Sequence, residues 1–572
     1  MKTILLAINA KYIHTNLAIR DLKAFVEQKS NFEIELVEHT INNYLTDIFE
    51  DIYKKSPDFI GISCYIWNFE IVKKLVNLLK IVMPNVKIML GGPEVSYNSA
   101  DILAEIPVDF VICGEGERSF LELLNSLEFG TPTLDKISAL SYKNNGEILV
   151  NPHKNAIKLG EIPFPYTNFD ELKNKIIYYE ASRGCPFSCQ YCLSSIEKGV
   201  RFAPIQKVKE ELRTFLKNNV KQVKFVDRTF NANKKFATDI INFLILNDNS
   251  VTNFHFEVAA DLLDDEMISL LKTARTGLFQ LEIGVQSTNL QTLNAIQRHS
   301  DFGWISHCVE EIKSSNNIHI HLDLITGLPF EDYFSFKKSF NDVHKLAPHQ
   351  LQLGFLKLLK GSGMENLCQK FEIKYSPYAP YEVLSTHCLP FSDVLKLKKI
   401  EEMTDLYYNS NRFENSRKFL LNLYDLPFDF YEKLAEFCEE FPENSPFISK
   451  QNTYTFLIKF AKKNNFDTNK LLWLIYFDML LQENIRTIPL WLSIPHDLTP
   501  SEKAYNFITK NPNIVNLLPE YSEVPEKQLT KFIHIETFPF NPITFEDNFT
   551  TLLFNYRKTD LYSNAKAVEI SL

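Results

Sequence analysis

Glycine is sparse in this chain, 17 residues of 572, and no low-complexity tract occurs, which excludes a fibrous or linker-dominated protein. No window approaches 18 uninterrupted apolar residues, so no membrane span is expected. Positive charge is also short. Lys and Arg number 61 against 71 Asp and Glu, a formal net charge of −10, so the chain has no general attraction for phosphate backbones. Nucleic acid is therefore not an expected partner. The apolar run Ile4–Ile8 is too short for a secretory leader, and no small-residue cleavage site follows it. Cysteines are few and odd in number, nine, and three of them fall within eight positions. That pattern points to a reducing cytoplasm and a metal site, not a disulfide framework. What is plentiful is apolar bulk: 45% of residues, with 46 Phe and 24 Tyr. A chain this long divides into two to four cores.

The first 130 residues alternate strand and helix patterns. Thr3–Asn9, Glu33–Glu38, Asp58–Tyr65, Val86–Leu90 and Asp109–Cys113 read as strands, and Leu17–Gln28, Phe69–Val82 and Ser119–Leu127 as helices. The expected fold class here is α/β, a doubly wound parallel sheet over residues 1–135. Asn144-Asn145-Gly146 marks a hairpin, and the proline-rich stretch to 175 a linker. Six further strand-like runs follow between 176 and 370: Ile177–Ala181, Gln222–Val226, Asn253–Val258, Gly277–Val285, Ile318–Ile325 and Leu351–Leu358. With helices between them they predict a partial (β/α)6 TIM-like barrel, whose chemistry gathers at the C-terminal strand ends. Residues 375–572 read as a mostly α-helical domain. Its aromatic stripes are packing, and the piece His534-Ile535-Glu536 is expected in a solvated loop.

The segment Glu180–Cys192 runs E-A-S-R-G-C-P-F-S-C-Q-Y-C. Three residues separate Cys185 from Cys189 and two separate Cys189 from Cys192. A loop of this size can wrap three thiolates around one face of a cubic [4Fe–4S] cluster and leave the fourth iron open to a substrate. A closed zinc site would need a fourth Cys or His nearby, and none lies between Cys192 and His255. Farther along, each strand-like run delivers a polar group into an apolar stretch: Asp227, Glu257, Glu282 and Asp323. Buried polar groups of this kind need partners or a ligand.

The cysteine spacing, with Tyr191 before the last thiol, resembles the radical S-adenosylmethionine (SAM) superfamily over about residues 176–370. The resemblance implies a reduced cluster that splits SAM into a 5′-deoxyadenosyl radical, fed by a donor such as flavodoxin or ferredoxin. It further implies SAM contacts from Tyr191, Glu257, Glu282, Gln286, Arg298 and Asp323. The family's Gly-Gly-Glu segment is replaced by Asp227-Arg228, which makes Asp227 the candidate there. Five βα units ahead of such a barrel resemble the cobalamin-dependent subclass. The implied cobalamin contacts are His14, Ser63, Gly91, Gly92, Glu115 and Gly116. His14 occupies the loop where related sheets place a cobalt-ligating histidine, but Tyr12 and Leu17 replace the flanking Asp and Gly, so a loop-capping role is expected. The expected reaction is methyl transfer to an unactivated carbon. The alternatives are ring closure, cleavage or oxidation with the same cofactors, a non-catalytic iron–sulfur carrier or sensor, or a transfer-RNA modifier.

Overall fold

The computed structural model describes residues 1–154, 156–196, 198–495, 498–510, 518–521, 523–559 and 564–570. The chain divides into two compact units, residues 1–332 with 354–391 and residues 333–353 with 392–572.

The first unit opens with the expected sheet. Strands β1 (Thr3–Asn9), β2 (Ile34–Thr40), β3 (Phe59–Ser63), β4 (Lys87–Gly91) and β5 (Phe110–Ile112) are parallel and stand in the order β2-β1-β3-β4-β5. Helices α1 (Leu17–Lys29), α2 (Leu45–Lys55), α3 (Phe69–Val82), α4 (Ser99–Glu105) and α5 (Glu117–Phe129) make the crossovers. β1 and β3 are buried along their full length, as a sheet covered on both faces requires. The hairpin β6 (Leu140–Asn144) and β7 (Glu147–Val150) extends it antiparallel beyond β5. Its turn sets Asn145 and Gly146 at φ of 49° and 86°, the left-handed pair that a two-residue hairpin wants. Strand order reverses between β1 and β3, so loops after these strands open a crevice at their C-terminal ends.

The barrel sheet comprises β8 (Ile177–Tyr179), then a two-stranded hairpin of its own, β9 (Ser182–Cys185) and β10 (Gly199–Phe202), and after it β11 (Gln222–Phe225), β12 (Asn253–Glu257), β13 (Phe279–Gln286) and β14 (His319–Thr326). Strands β8, β11, β12, β13 and β14 are parallel neighbours in that order. A sixth strand, β15 (Gln350–Phe355), enters this unit at Gly354, and Leu356 beyond it donates its N–H to the Thr326 carbonyl at 2.9 Å. Helices α6 (Ile205–Lys217), α7 (Lys234–Leu246), α8 (Asp265–Lys272), α9 (Leu290–Ala295) and α10 (Phe302–Lys313) fill the connections. Side chains alternate strictly along these strands. Phe225, Phe254, Phe256 and Phe279 face the helices, and Lys224, His255, Glu257 and Glu282 face the other way. The short pair β16 (Lys374–Tyr375) and β17 (Val383–Ser385) closes the unit.

In the second unit, α11 (Tyr333–Lys345), α12 (Phe391–Thr404), α13 (Glu414–Leu421), α14 (Pro427–Glu440), α15 (Lys450–Lys463), α16 (Thr468–Gln482) and α17 (Pro500–Lys510) pack through the aromatic stripes. Buried Asp478 caps the first turn of α13, accepting from the N–H groups of Asn415 and Ser416 at 3.0 and 2.8 Å. The unit ends in an antiparallel sheet, β18 (Ile533–Phe538), β19 (Thr550–Thr559) and β20 (Ala565–Glu569). This corrects the expectation for His534-Ile535-Glu536. The segment is a buried strand, with the Tyr476 hydroxyl donating to Glu536 at 3.2 Å. Alternation of large apolar and polar residues in a two-layer packing hides such a strand from a helical reading.

Candidate functional site

The three cysteines sit on the β9–β10 hairpin. Cys185 ends β9 opposite Gly199, and the intervening loop carries Cys189 and Cys192. Gly184 holds φ at +106°, and a Cβ there would collide with the Gly199 carbonyl, so the two strands can close only on glycine. A turn from the Cys192 N–H to the Cys189 carbonyl, 3.1 Å, tightens the loop. Two backbone bonds anchor it: Gln190 N–H to the Ile296 carbonyl at 2.9 Å and Met364 N–H to the Gln190 carbonyl at 2.8 Å. The thiols are free, Cys189 buried and the others half-buried.

Among the described residues the three sulfurs do not lie all within 4.8 Å of one another. One tetrahedral zinc with bonds of about 2.3 Å would draw them to roughly 3.8 Å. A polynuclear cluster takes each thiolate on a different metal and suits the wider set. Cys185 Sγ lies 3.4 Å from the Thr229 hydroxyl. Arg298 reaches Cys189 Sγ at 3.8 Å and the Tyr191 hydroxyl at 3.4 Å, and donates to the Gly284 carbonyl. Burial pushes the Cys189 thiol up, and the Arg298 charge opposes it. Arg298 thus straps the cysteine loop to the end of β13.

At that end the register slips, and Gln286 takes φ of +70°. Its Oε1 is buried without a hydrogen-bond partner. A positive φ and an unsatisfied buried acceptor fall on the same residue here. Glu257, at the end of β12, is pushed up by burial and held down in part by Arg228. Glu282 is paired deeper in the barrel, with His255 at 2.9 Å and Lys224 at 3.2 Å. Burial raises its carboxyl, but the His255 bond and the charges of Lys224 and His321 outweigh that and bring it down to about 2. Asp323 lies 2.9 Å from His321. Asp227 is placed differently from the others. Its two oxygens accept from the Ala181 N–H at 2.9 Å and the Ser182 hydroxyl at 2.5 Å, so it pins the joint between β8 and β9.

In the first sheet, Gly91, Gly92, Ser63 and Gly116 all lie at C-terminal strand ends. Gly92 has φ of +111°, and a Cβ would come within 2.5 Å of the Cys64 carbonyl. Ser63 is buried and receives Asn16 Nδ2 at 3.2 Å. The loops add a shelf that the sequence reading passed over. Tyr12 and Tyr97 are exposed, and Trp67 is stacked on Tyr65 at 4.4 Å with 43% of its surface open. Lys175 Nζ lies over the Tyr12 ring at 3.5 Å, so Tyr12 is covered on one face. The only sequence signal was aromatic residues just past strand ends. A broad cleft of about 1080 Å³ lies instead at the N-terminal strand ends, lined by Lys23, Glu27 and Phe32. It is remote from these loops.

His14 and Glu115 are each bonded to residues beyond the first sheet. His14 Nδ1 is hydrogen-bonded to the Tyr178 hydroxyl at 2.8 Å, and Ile176 N–H donates to the Ile13 carbonyl at 2.7 Å. Glu115 is paired with Arg201 and accepts from the Ile157 N–H at 3.1 Å. Arg183, two residues before Cys185, meets Glu180 at 2.7 Å, Glu117 at 2.9 Å and Glu115 at 3.5 Å. The cysteine hairpin is therefore clamped to the last loop of the first sheet.

Comparison with known proteins agrees with both halves. Residues 3–124 match the B12 binding domain model and residues 179–343 that of the Radical SAM superfamily. The chain joins a B12-binding domain to a radical SAM domain. Residues 369–554 match a third model, a protein of unknown function designated DUF4080. Among curated relatives, the 2-(S-pantetheinyl)-carbapenam-3-carboxylate methyltransferase of Streptantibioticus cattleyicolor is 26% identical over 321 residues, 51% of this chain and 46% of that protein. An uncharacterized methyltransferase of Pyrococcus horikoshii is 34% identical over 206 residues, 34% of this chain and 45% of its own length. The chain thus spans about half the length of the curated relatives it matches. Its fold resembles that of the cobalamin-dependent SAM radical enzyme OxsB, solved with aqua-cobalamin and SAM bound. The TM-score is 0.57 at 15% identity, over 84% of this chain and 80% of that one. Among the described residues no helix is long and apolar enough to cross a membrane.

Proposed function

We propose that the chain is a cobalamin-dependent radical SAM methyltransferase acting on an unactivated carbon, in the reducing cytoplasm, with a flavodoxin- or ferredoxin-type electron donor. The observation that carries this reading is the cysteine hairpin. Three free thiols stand on one strapped loop, clamped to a sheet whose strand-end loops carry the exposed aromatic residues Tyr12, Trp67 and Tyr97. When bound, a [4Fe–4S] cluster on Cys185, Cys189 and Cys192 supplies the electron that splits SAM, and cobalamin supplies the methyl group.

The protein's part is positioning. Arg298 keeps a positive charge beside Cys189 and fixes the loop against β13. Tyr191, Glu257 and Gln286 face the mouth with polar atoms for the amino acid and ribose portions of SAM, and Gln286 brings its orphaned carbonyl oxygen. Ser63, Gly91, Gly92 and Gly116 give small strand-end positions to the nucleotide tail, and Tyr12, Trp67 and Tyr97 cover the ring. Methyl transfer is the first reading because the two relatives described above are methyltransferases. Ring closure stands as the second, since the anaerobic magnesium-protoporphyrin IX monomethyl ester cyclase of Rubrivivax gelatinosus is 21% identical over 52% of this chain.

The test is anaerobic purification with iron and hydroxocobalamin supplied, then incubation with SAM and dithionite. The expected outcome is cluster and cobalamin absorbance together with release of 5′-deoxyadenosine, all but abolished in C185A, C189A and C192A. Deoxyadenosine release that survives in all three variants would sink the cluster assignment. A product with no added methyl mass would sink methyl transfer alone.

A further inference from the structure

Below the mouth, the barrel interior is polar in a way that the proposed cofactors do not use. Lys224 stands in register with Tyr178 and His255, and Glu282 with Glu257 and His321. Glu282, His321 and Asp323 bring one donor atom each to within 4.8 Å of one another. His321 is 5% exposed, and His255 beside it is 6% exposed. His321 Nε2 and Asp323 Oδ1 lie 2.9 Å apart, yet neither atom makes a hydrogen bond of ordinary geometry, and the same holds for His255 Nε2. Each of these atoms faces an ion-pair partner at 2.9 Å in poor hydrogen-bond geometry, so the buried cluster is incompletely satisfied and a shared ligand would complete it.

We propose that Glu282, His321 and Asp323 form a binding site for one divalent transition-metal ion, separate from the cysteine hairpin. Donors around one ion with bonds of about 2.0–2.2 Å stand roughly 3–3.5 Å apart. The His321–Asp323 pair is already that close, and Glu282 lies within 4.8 Å of both, in reach by side-chain rotation. Imidazole with two carboxylates suits manganese, iron(II) or zinc better than a thiolate-seeking ion. The surroundings hold the ligands in place. Lys224 Nζ and His255 Nε2 both contact Oε2 of Glu282, leaving Oε1 to the ion, and His255 serves as the positioning residue of that carboxylate. Three protein donors leave coordination positions open toward the barrel mouth, where a carboxylate or hydroxyl of the substrate could bind.

The proposal does not depend on the cluster or on cobalamin, and the test keeps them apart. Mn²⁺ is the probe because thiolates compete for it poorly. The full chain, with its cysteines intact, is titrated with Mn²⁺ and the free ion is read by electron paramagnetic resonance. The expected result is about one bound Mn²⁺ per chain, weakened at least tenfold in H321A and in D323N, with zinc displacing it. Absence of Mn²⁺ binding by the parent chain, or equal binding by folded variants, would overturn the site. D323N keeps the side-chain shape and decides the matter if H321A fails to fold.

Discussion

Asp227 has a carboxyl with no water to hold its charge. It is wholly buried, and burial lifts it from 3.8 to about 7 against the two hydrogen bonds from Ser182 and Ala181. Its folded value stands above its unfolded one, so between roughly pH 4 and 7 the native state binds the extra proton. Stability contributed at this site therefore falls as pH rises through that window, by a few kcal/mol at about 1.4 kcal/mol per unit, and is flat above it. Denaturation midpoints of wild type and D227N, compared at pH 5 and pH 7.5, should show a slope that the variant lacks. An equal slope in both would refute the assignment. At His14 the prediction is silence. Burial and the charges of Lys11, Lys224 and Lys175 lower its proton affinity, and Tyr178 occupies Nδ1. The cobalamin spectrum of H14A should match that of wild type, and a displaced band would restore cobalt ligation.

Among elements, the β9–β10 hairpin matters most, and Gly184 is its weakest point. G184A combines a left-handed φ with a collision against Gly199. It should cost about 1–3 kcal/mol locally while the parallel sheets persist. Iron content should fall several-fold with far-ultraviolet circular dichroism unchanged; full iron loading would contradict this. The elements also show what the sequence could reveal. Parallel strands buried on both faces leave continuous apolar runs, so β1, β3 and β4 were legible, and α3 matched to the residue. The hairpin was not, because Gly199–Phe202 is one exposed and three half-buried residues without a turn signal. Helices α2 and α4 were missed, one lacking a capping side chain and the other only seven residues long. At the site, the spacing of the three cysteines already implied that one short loop carries them, as the β9–β10 hairpin does. The occupations of Asp227 and Glu115 were not, since a buried carboxylate reads the same in sequence whether it meets a ligand or a neighbouring strand.

For the whole molecule, the Arg183 clamp carries the argument. One guanidinium faces three carboxylates, Glu115 and Glu117 from the first sheet and Glu180 from the barrel, all less than a fifth exposed. Removing the cation strands like charges in a poorly solvated joint, a change that typically costs 3–5 kcal/mol. R183M should lower the unfolding midpoint and release cobalamin and iron together. A variant that loses only one of the two would show that the clamp is local.

The same salt-linked joint bears on how such a protein can be taken apart or assembled. Cutting the chain near residue 150 would leave two acidic side chains on one fragment and the arginine they share on the other. Neither fragment is then a neutral module free to travel. Recombination that transplants the corrin-holding half must bring along a matching arginine, or else delete the glutamates that expect it.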